Sequence, residues 1–373
     1  MIYLDNNAST PVDPEVAAEM LSAIRSNYGN PSSGHEIGMR AKASVEKARS
    51  QVAALLGVSP EDIIFTSGGT ESNNLAIIGL AHEKGKGHII TSVIEHPSVI
   101  NPCRHLEGSG FSVTYVGVEG DGKVRVDEVK KAIRGDTFLI TIMHANNETG
   151  VLQPIEEIGA IAREKGIVFH TDAAQTIGKI PVRANDLGMM TIVSHKFYGP
   201  KGIGSLLVRK EVTLHPILFG AGHERGLRPG TENVPGIVGF GKACELSQRY
   251  LKERITRTQN ITDSLFGGLR EKIKGLRLNG HETDRLPNTL NIAIPGIDAI
   301  DLIEAVKDAV AVSSGSACHS GRREASPVLK AMGISDEDAM ASLRLSTGKD
   351  NTEEEMREAE KIIAKVVLSI RSG

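Results

Sequence analysis

The chain contains 373 residues with a formal net charge of −3, and 24% of its residues are charged. That length allows two domains with ample cores, and Lys and Arg are spread along the chain, so nucleic acid is not an expected partner. No apolar run is long enough for a membrane span and residues 1–7 lack a signal-peptide pattern, so we expect a soluble cytoplasmic protein without a membrane partner.

Strand and helix patterns alternate from the N-terminus onwards. A short strand at residues 2–4 leads to a helix that opens at Asp13 and Pro14, and a second helix ends at Gly57. Near-continuous apolar strands alternate with helices after that point, which predicts an α/β fold whose mostly parallel sheet is covered on both faces. The predicted strands are 63–65, 88–91, 113–116, 138–143 and 167–170.

Polar side chains cluster where these strands end. Ligands of an open α/β sheet bind at the carboxyl edge of its strands, so these side chains are predicted to share one crevice. Each of them alone is more often a cap or turn residue, and the prediction depends on their joint placement. They are Thr70, His96, Asn147, Asp172, Gln175, His195 and Lys196.

The segment 191–202 is the expected centre of the chemistry. Three β-forming residues lead into Ser194, His195 and Lys196, and a Gly/Pro-rich turn returns the chain into the apolar run 204–208. A lysine at a strand end beside a proton carrier suits Schiff-base chemistry with a carbonyl cofactor. From this segment alone, a solvated lysine in a hairpin turn is an equal alternative.

Two further features suit a phosphorylated cofactor. Residues 67–70, Ser-Gly-Gly-Thr, lie between a strand and a helix, where backbone N–H groups can cradle a phosphate. The motif is neither GxGxxG nor a P-loop, which disfavours nicotinamide cofactors and nucleoside triphosphates. Asp172 ends a buried strand and needs a partner, which a pyridinium nitrogen would supply. Ordinary helix capping is the alternative for both features.

The C-terminal third begins after a long polar loop at 220–231, which we expect to cover a site. A helical pattern then runs from Pro235 to about Leu276, with residues 248–258 as the expected domain linker. Further strands are predicted at 288–294, 310–312 and 342–346, and residues 352–355 form a capping box for the last helix.

Cys318 and Arg344 are the candidate reactive and binding residues of this third. The three cysteines are too few and scattered for disulfides, and Cys103 and Cys244 are interpreted as packing residues. Cys318 lies among small polar residues, where His319 and two arginines would favour the thiolate. Arg344 lies within a strand and could grip a substrate carboxylate or form a structural salt bridge.

Together these motifs resemble the class-V pyridoxal-phosphate enzymes with the aspartate-aminotransferase fold (fold type I), specifically the cysteine desulfurases of nitrogen fixation and iron–sulfur cluster assembly. The resemblance implies a large pyridoxal-phosphate-binding domain at 13–247, a smaller α/β domain made of 1–12 and 248–373 that carries the Cys318 loop, and a homodimer. It rests on the motifs at 3–11, 68–74, 95–96, 146–150, 170–175, 195–196 and 314–318.

The resemblance also implies roles for single residues. Lys196 would bind the cofactor as a Schiff base and move protons, Asp172 would pair with the ring nitrogen, and His96 would stack on the ring. Cys318 would take the sulfur of L-cysteine as a persulfide for an acceptor protein, leaving alanine, and could transiently ligate an iron–sulfur cluster. The other implied contacts are Gln175 with the ring hydroxyl, Gly69, Thr70 and His195 with the phosphate, Thr231 with the phosphate of a second subunit, and Asn147 and Arg344 with the substrate carboxylate, Asn147 also lying against the cofactor.

One position departs from the pattern of typical cluster-assembly relatives. They carry Ser-Gly-His-Lys or Ser-Ala-His-Lys before the turn, whereas Val193 stands here at the phosphate-binding serine, so Ser194 is the candidate substitute. Segments 191–193, 218–220, 228–233 and 318–320 are similar to selenocysteine lyase, which is the nearest alternative. An aminotransferase would not need Cys318. An idle sulfur-carrier or scaffold subunit would not need Lys196 and Asp172.

Overall fold

A computed structural model of the chain describes residues 1–314 and 324–372. Helices and strands alternate through most of the chain up to residue 208, and one very long helix begins at residue 234. In chain order the elements are β1 (Ile2–Tyr3), α1 (Pro14–Ser26), α2 (Glu36–Leu56), β2 (Ile63–Thr66), α3 (Gly69–Lys84), β3 (His88–Ser92), α4 (Pro97–Gly108), β4 (Ser112–Val116), α5 (Val126–Ala132), β5 (Thr137–Thr141), α6 (Ile155–Lys165), β6 (Val168–Asp172), β7 (Met189–Val193), β8 (Gly204–Val208), α7 (Val234–Lys272), β9 (Arg277–Leu278), β10 (Thr289–Ala293), α8 (Ala299–Val306), β11 (Val310–Ala311), α9 (Pro327–Ala331), α10 (Asp336–Met340), β12 (Ser342–Ser346) and α11 (Glu353–Ser372).

A seven-stranded sheet in the order β2-β8-β7-β6-β5-β3-β4 forms the centre of the larger region. Strands β3 to β7 pair in parallel, and β8 runs antiparallel to both of its neighbours. Alternate side chains enter two different apolar cores, as Leu139 and Ile140 do, because successive strand residues face opposite sides. The predicted α/β fold with a mostly parallel, doubly covered sheet is confirmed.

A second region packs around its own apolar core. Strand β1 pairs in parallel with β11, and β10 lies between β12 and β9 in an antiparallel sheet. Leu4 from the N-terminus shares this core with Leu265, Leu290 and Val367. The N-terminal residues therefore pack with the C-terminal third.

Helix α7 connects the two regions without a break. Its first half places Ile237 and Phe240 in a core of the large sheet, and its second half places Leu265 and Leu269 in the other core. The segment 248–258, expected as a linker, is thus helical throughout. In the described part of the chain, no helix is both long and apolar enough to cross a membrane.

The helix caps that the sequence predicts are present in the structure. Asp13 accepts the backbone N–H of Glu15 at 2.9 Å at the start of α1, and Gly57 ends α2 in a left-handed conformation with φ of 68°. The Thr352 hydroxyl accepts the N–H of Glu355, whose carboxylate accepts the N–H of Thr352 in return. The capping box predicted for the last helix is therefore confirmed.

Candidate active site

A cavity of about 970 Å³ opens at the carboxyl edge of the large sheet, against residues of the second region. It collects side chains that follow different strands, because parallel strands end at the same edge. The predicted site residues that line it are Gly69, Thr70, His96, Asn147, Asp172, Gln175, His195, Lys196 and Arg344.

Lys196 lies in a single 3-10 turn directly after β7. Its Nζ donates hydrogen bonds to the carbonyl oxygens of Asn7 at 2.7 Å and Ala8 at 2.8 Å. Burial, together with the positive charge of Arg344, lowers the pKa of Lys196 to about 8. A sizeable fraction of the amine is therefore unprotonated, and nucleophilic, near neutral pH.

Asp172 ends β6 and is 7% exposed. One carboxylate oxygen accepts the N–H of Ala174 at 2.9 Å. Residues 174–179 form a turn, so this contact is not the helix cap that the sequence left open as an alternative. The other accepts from the side chain of Asn73 at 2.8 Å. No cationic side chain of residues 1–314 or 324–372 forms an ion pair with it. A buried carboxylate with neutral partners suits a cationic ligand group at the cavity.

Gln175 is oriented by a buried lysine that the sequence analysis did not select. Nζ of Lys179 donates to Oε1 of Gln175 and to Oδ1 of Asn7, both at 2.8 Å. Because an amine side chain offers its hydrogens to these oxygens, the NH₂ group of Gln175 faces the other way, where it donates to the Asn7 carbonyl at 3.0 Å. Burial, and next the charge of Lys196, holds the pKa of Lys179 well below its usual range.

The start of α3 lines the cavity and packs closely against the end of β7. Gly68 has φ of 149°, and no side chain caps the helix, so backbone N–H groups of its first turn remain for an anion. A Cβ on Gly69 would lie 2.7 Å from Cγ2 of Val193. Burial, helped by the charges of Lys196 and Lys201, lowers the pKa of His195 to about 4, so His195 is a neutral hydrogen-bonding group here.

Arg344 forms the structural salt bridge that the sequence left open as one of two alternatives. Its Nη2 donates to Oδ1 of Asp5 at 2.8 Å, which is a structural ion pair, and its Nη1 donates to the carbonyl of Asn147 at 3.0 Å. Arg344 also lines the cavity beside Asn147. A cationic fork at this position can bind a substrate carboxylate.

Glu95 is a second buried carboxyl that the sequence analysis did not assign a role. It lines the cavity next to His96, and its Oε1 accepts from the Ser92 hydroxyl at 2.6 Å and the Met143 N–H at 2.9 Å. Burial raises the pKa of Glu95 to about 8, so this carboxyl is protonated at neutral pH. The only feature of the sequence that could have pointed to Glu95 is its position directly before His96.

Known proteins resemble the chain over its whole length. The class-V aminotransferase family model matches residues 2–358. The IscS cysteine desulfurase of Anaeromyxobacter dehalogenans is 47% identical over 99% of this chain and 93% of its own length, and the cysteine desulfurase of Trichormus azollae is 45% identical over 100% and 94%. A solved NifS-like protein superimposes with a TM-score of 0.93 at 40% identity, with 99% of each chain covered.

The chain belongs to the class-V aminotransferase family. The full-length relatives named above are cysteine desulfurases, so the resemblance inferred from the motifs is confirmed, and so is fold type I. A structure described as SspA in complex with cysteine also matches, with a TM-score of 0.83 at 37% identity over 94% of this chain and 100% of that one.

Ser194 does not occupy a ligand-binding position in this class-V chain. It is absent from the cavity lining, and its Oγ is fully buried without a hydrogen-bond partner in the described residues. A Cβ on Gly199 would come within 2.0 Å of that oxygen, so the hydroxyl lies beneath the turn that follows Lys196. The geometry does not support the expected phosphate contact of Ser194, and Val193 faces the cavity instead.

Three further predictions on the class-V site concern Thr231, Cys318 and a possible metal ligand. Thr231 is exposed and does not line it. Cys318, the expected sulfur carrier and possible cluster ligand, lies outside the described residues. Within residues 1–314 and 324–372, no group of three or more His, Cys, Asp or Glu side chains is arranged to hold a metal ion.

Proposed function

We propose that the chain is a pyridoxal-phosphate-dependent cysteine desulfurase that converts L-cysteine to L-alanine and passes the sulfur to Cys318. One observation carries the proposal: the amine of Lys196, the carboxylate of Asp172 and the imidazole of His96 meet in one cavity from the ends of three strands of one sheet. The full-length similarity to cysteine desulfurases supports the choice of substrate.

The donor set suits pyridoxal phosphate. Asp172 would pair with the ring nitrogen, the NH₂ group of Gln175 would face the ring hydroxyl, and His96 would cover the ring. The backbone at Gly69 and Thr70, together with neutral His195, would hold the phosphate, and Lys196 would bond covalently to the aldehyde. When bound, the cofactor supplies an electron sink for charge that develops at the substrate α-carbon.

Each remaining role is assigned to a side chain of the protein. Lys196, with a pKa near 8, takes up and returns the α-proton because amine and ammonium are both accessible near neutral pH. Arg344 and Asn147 bind the substrate carboxylate. The Cys318 thiolate attacks the substrate sulfur, so an S–S bond forms as the C–S bond breaks, and the carbon gains a proton to give alanine.

A homodimer would complete the site. Thr231 is exposed in its own subunit, in the loop before α7, and we assign it to the phosphate of the partner's cofactor. Leu21, Ile24 and Tyr28 of the α1 region are also exposed, and Phe219 is 89% exposed. Large apolar side chains gain most from burial against a second copy. A sulfur-acceptor protein and a cytoplasmic location stay predictions from the sequence.

Incubation of the full-length, cofactor-loaded protein with L-cysteine tests the proposal. Alanine release and a gain of one sulfur atom on Cys318 by mass spectrometry are the expected results. Inactivity on cysteine with turnover of selenocysteine would favour a selenocysteine lyase instead. Full activity of Cys318→Ala would favour an aminotransferase, and a colourless protein that takes up no pyridoxal phosphate would favour a carrier or scaffold subunit.

A further inference from the structure

A chain of hydrogen bonds links His96 to Asp172 through two buried side chains. Nδ1 of His96 lies 2.7 Å from Oγ of Ser98, which lies 2.8 Å from Nδ2 of Asn73, and that nitrogen lies 2.8 Å from Oδ2 of Asp172. Asn73 is fully buried and Ser98 nearly so. Neither residue was a site candidate from the sequence.

The direction of every hydrogen bond in this chain follows from the Asp172 end. An ionised carboxylate can only accept, so Asn73 must present its NH₂ group to Asp172, and the second hydrogen of the same nitrogen reaches Ser98. The Ser98 oxygen therefore accepts from Asn73. Its own proton is then directed to Nδ1 of His96, the other polar atom at hydrogen-bond distance.

A second donor reaches the same imidazole nitrogen. The backbone N–H of Ser98 donates to Nδ1 of His96 at 3.1 Å, which is the capping contact at the start of α4. Two donors thus converge on Nδ1, and both require that this nitrogen carries no proton. In a neutral imidazole the proton then resides on Nε2.

We propose that Asn73 and Ser98 are positioning residues that hold His96 as the neutral tautomer with its proton on Nε2, so that His96 donates a hydrogen bond to the reacting groups and does not act as a base. The part of this inference that concerns the reaction rests on the proposed function. In this tautomer the single basic nitrogen of His96 is Nδ1. Protonation there would displace both donors and break the cap of α4, so Lys196 is left as the base.

The tautomer can be measured directly on the full-length protein. We expect ¹⁵N spectra of deuterated, ¹⁵N-histidine-labelled protein, both loaded with pyridoxal phosphate and stripped of it, to show His96 with Nδ1 unprotonated and Nε2 protonated. His96→Gln assigns the resonances. A protonated Nδ1 in the wild-type protein at neutral pH would overturn the inference.

Ser98→Ala and Ser98→Thr test the role of the hydroxyl. The alanine variant removes one of the two donors, so the Nδ1 resonance of His96 should move downfield, and threonine should restore it. His88 and His170 are internal controls, because the ring nitrogens of both are hydrogen-bonded to threonine hydroxyls and their resonances should not respond to a change at Ser98. The partners are Thr137 and Thr114 for His88, and Thr141 and Thr191 for His170. An unchanged Nδ1 resonance in Ser98→Ala would refute the role of Ser98.

Steady-state kinetics supply the readout on the reaction. Loss of one neutral hydrogen bond predicts a kcat about tenfold lower in Ser98→Ala with KM unchanged, and recovery in Ser98→Thr. A fall in kcat that threonine does not restore would contradict the positioning role. If the wild-type protein forms no alanine, the proposed function fails, but the ¹⁵N spectra still decide the tautomer.

Discussion

Lys179 and Gln175 are joined by a hydrogen bond of 2.8 Å inside the protein, and the same amine also donates to the side chain of Asn7. Lys179 is 9% exposed. This buried amine holds the amide of Gln175 in one orientation, so that its NH₂ group rather than its oxygen is available at the cavity. The contact connects the cavity at the sheet edge to the N-terminal loop.

Replacement of Lys179 by Met should therefore lower stability and cofactor affinity together. The change leaves the buried Oε1 of Gln175 without the donor at 2.8 Å and, among the described residues, leaves Oδ1 of Asn7 with only the longer hydrogen bond from Nδ2 of Asn288 at 3.3 Å. The loss costs about 1–3 kcal/mol of unfolding free energy. Denaturant unfolding and pyridoxal-phosphate titration measure the two effects. Lys42→Met, at an exposed lysine of α2, is the matched control and should change neither. Unaltered stability of Lys179→Met would show that these contacts are dispensable.

The reactivity of Lys196 in the cofactor-free protein should depend on pH. Only the unprotonated amine is nucleophilic, and its fraction grows as pH rises through the pKa of about 8. We expect the rate of covalent pyridoxal-phosphate uptake, followed by absorbance, to rise with pH and level off above about 8. Lys196→Ala should show no covalent uptake at any pH. A rate that keeps rising up to about pH 10 without a plateau would argue against a lowered pKa.

Glu95 predicts a pH dependence of stability with a definite sign. Its pKa is about 8 when folded and about 4.3 when unfolded, so the folded state keeps a proton that the unfolded state loses between these values. This carboxyl therefore costs stability as pH rises from about 4 to about 8. Glu95→Gln does not titrate, and should gain stability relative to the wild type across that window. Parallel unfolding curves at several pH values provide the measurement, and a constant difference would disprove the shift.

Gly69 and Val193 should behave as a coupled pair. A Cβ at Gly69 would lie 2.7 Å from Val193, so Gly69→Ala forces the two segments apart at an expected cost of about 1–3 kcal/mol. That displacement should weaken pyridoxal-phosphate binding roughly tenfold. The double variant with Val193→Ala should recover most of the loss. Gly34→Ala is the control, because nothing lies within 4 Å of its added Cβ. Equal losses in the single and double variants would exclude this steric explanation.

The sequence determined the α/β architecture and much of the cavity. Apolar strands that alternate with helices dictate a parallel sheet, and the carboxyl ends of parallel strands must lie at one edge, so Lys196, Asp172 and His96 could be assigned to a common site before any coordinates. The helix caps at Asp13 and Thr352 could also be predicted from the sequence, because a capping contact spans only two or three residues.

Only the tertiary structure shows which polar side chains form hydrogen bonds with the residues of that site. Lys179 contacts Asn7 across 172 positions of the chain, and Asn73 contacts Asp172 across 99, so no local pattern could show that either pair is in contact. The sequence also could not show which of the neighbours Val193 and Ser194 faces the cavity, because the backbone turn after β7 decides it. Local hydrogen bonds and side-chain periodicity depend on residues that are close in the sequence, so short segments predict them. Burial and long-range pairing depend on residues that become neighbours only when the chain packs.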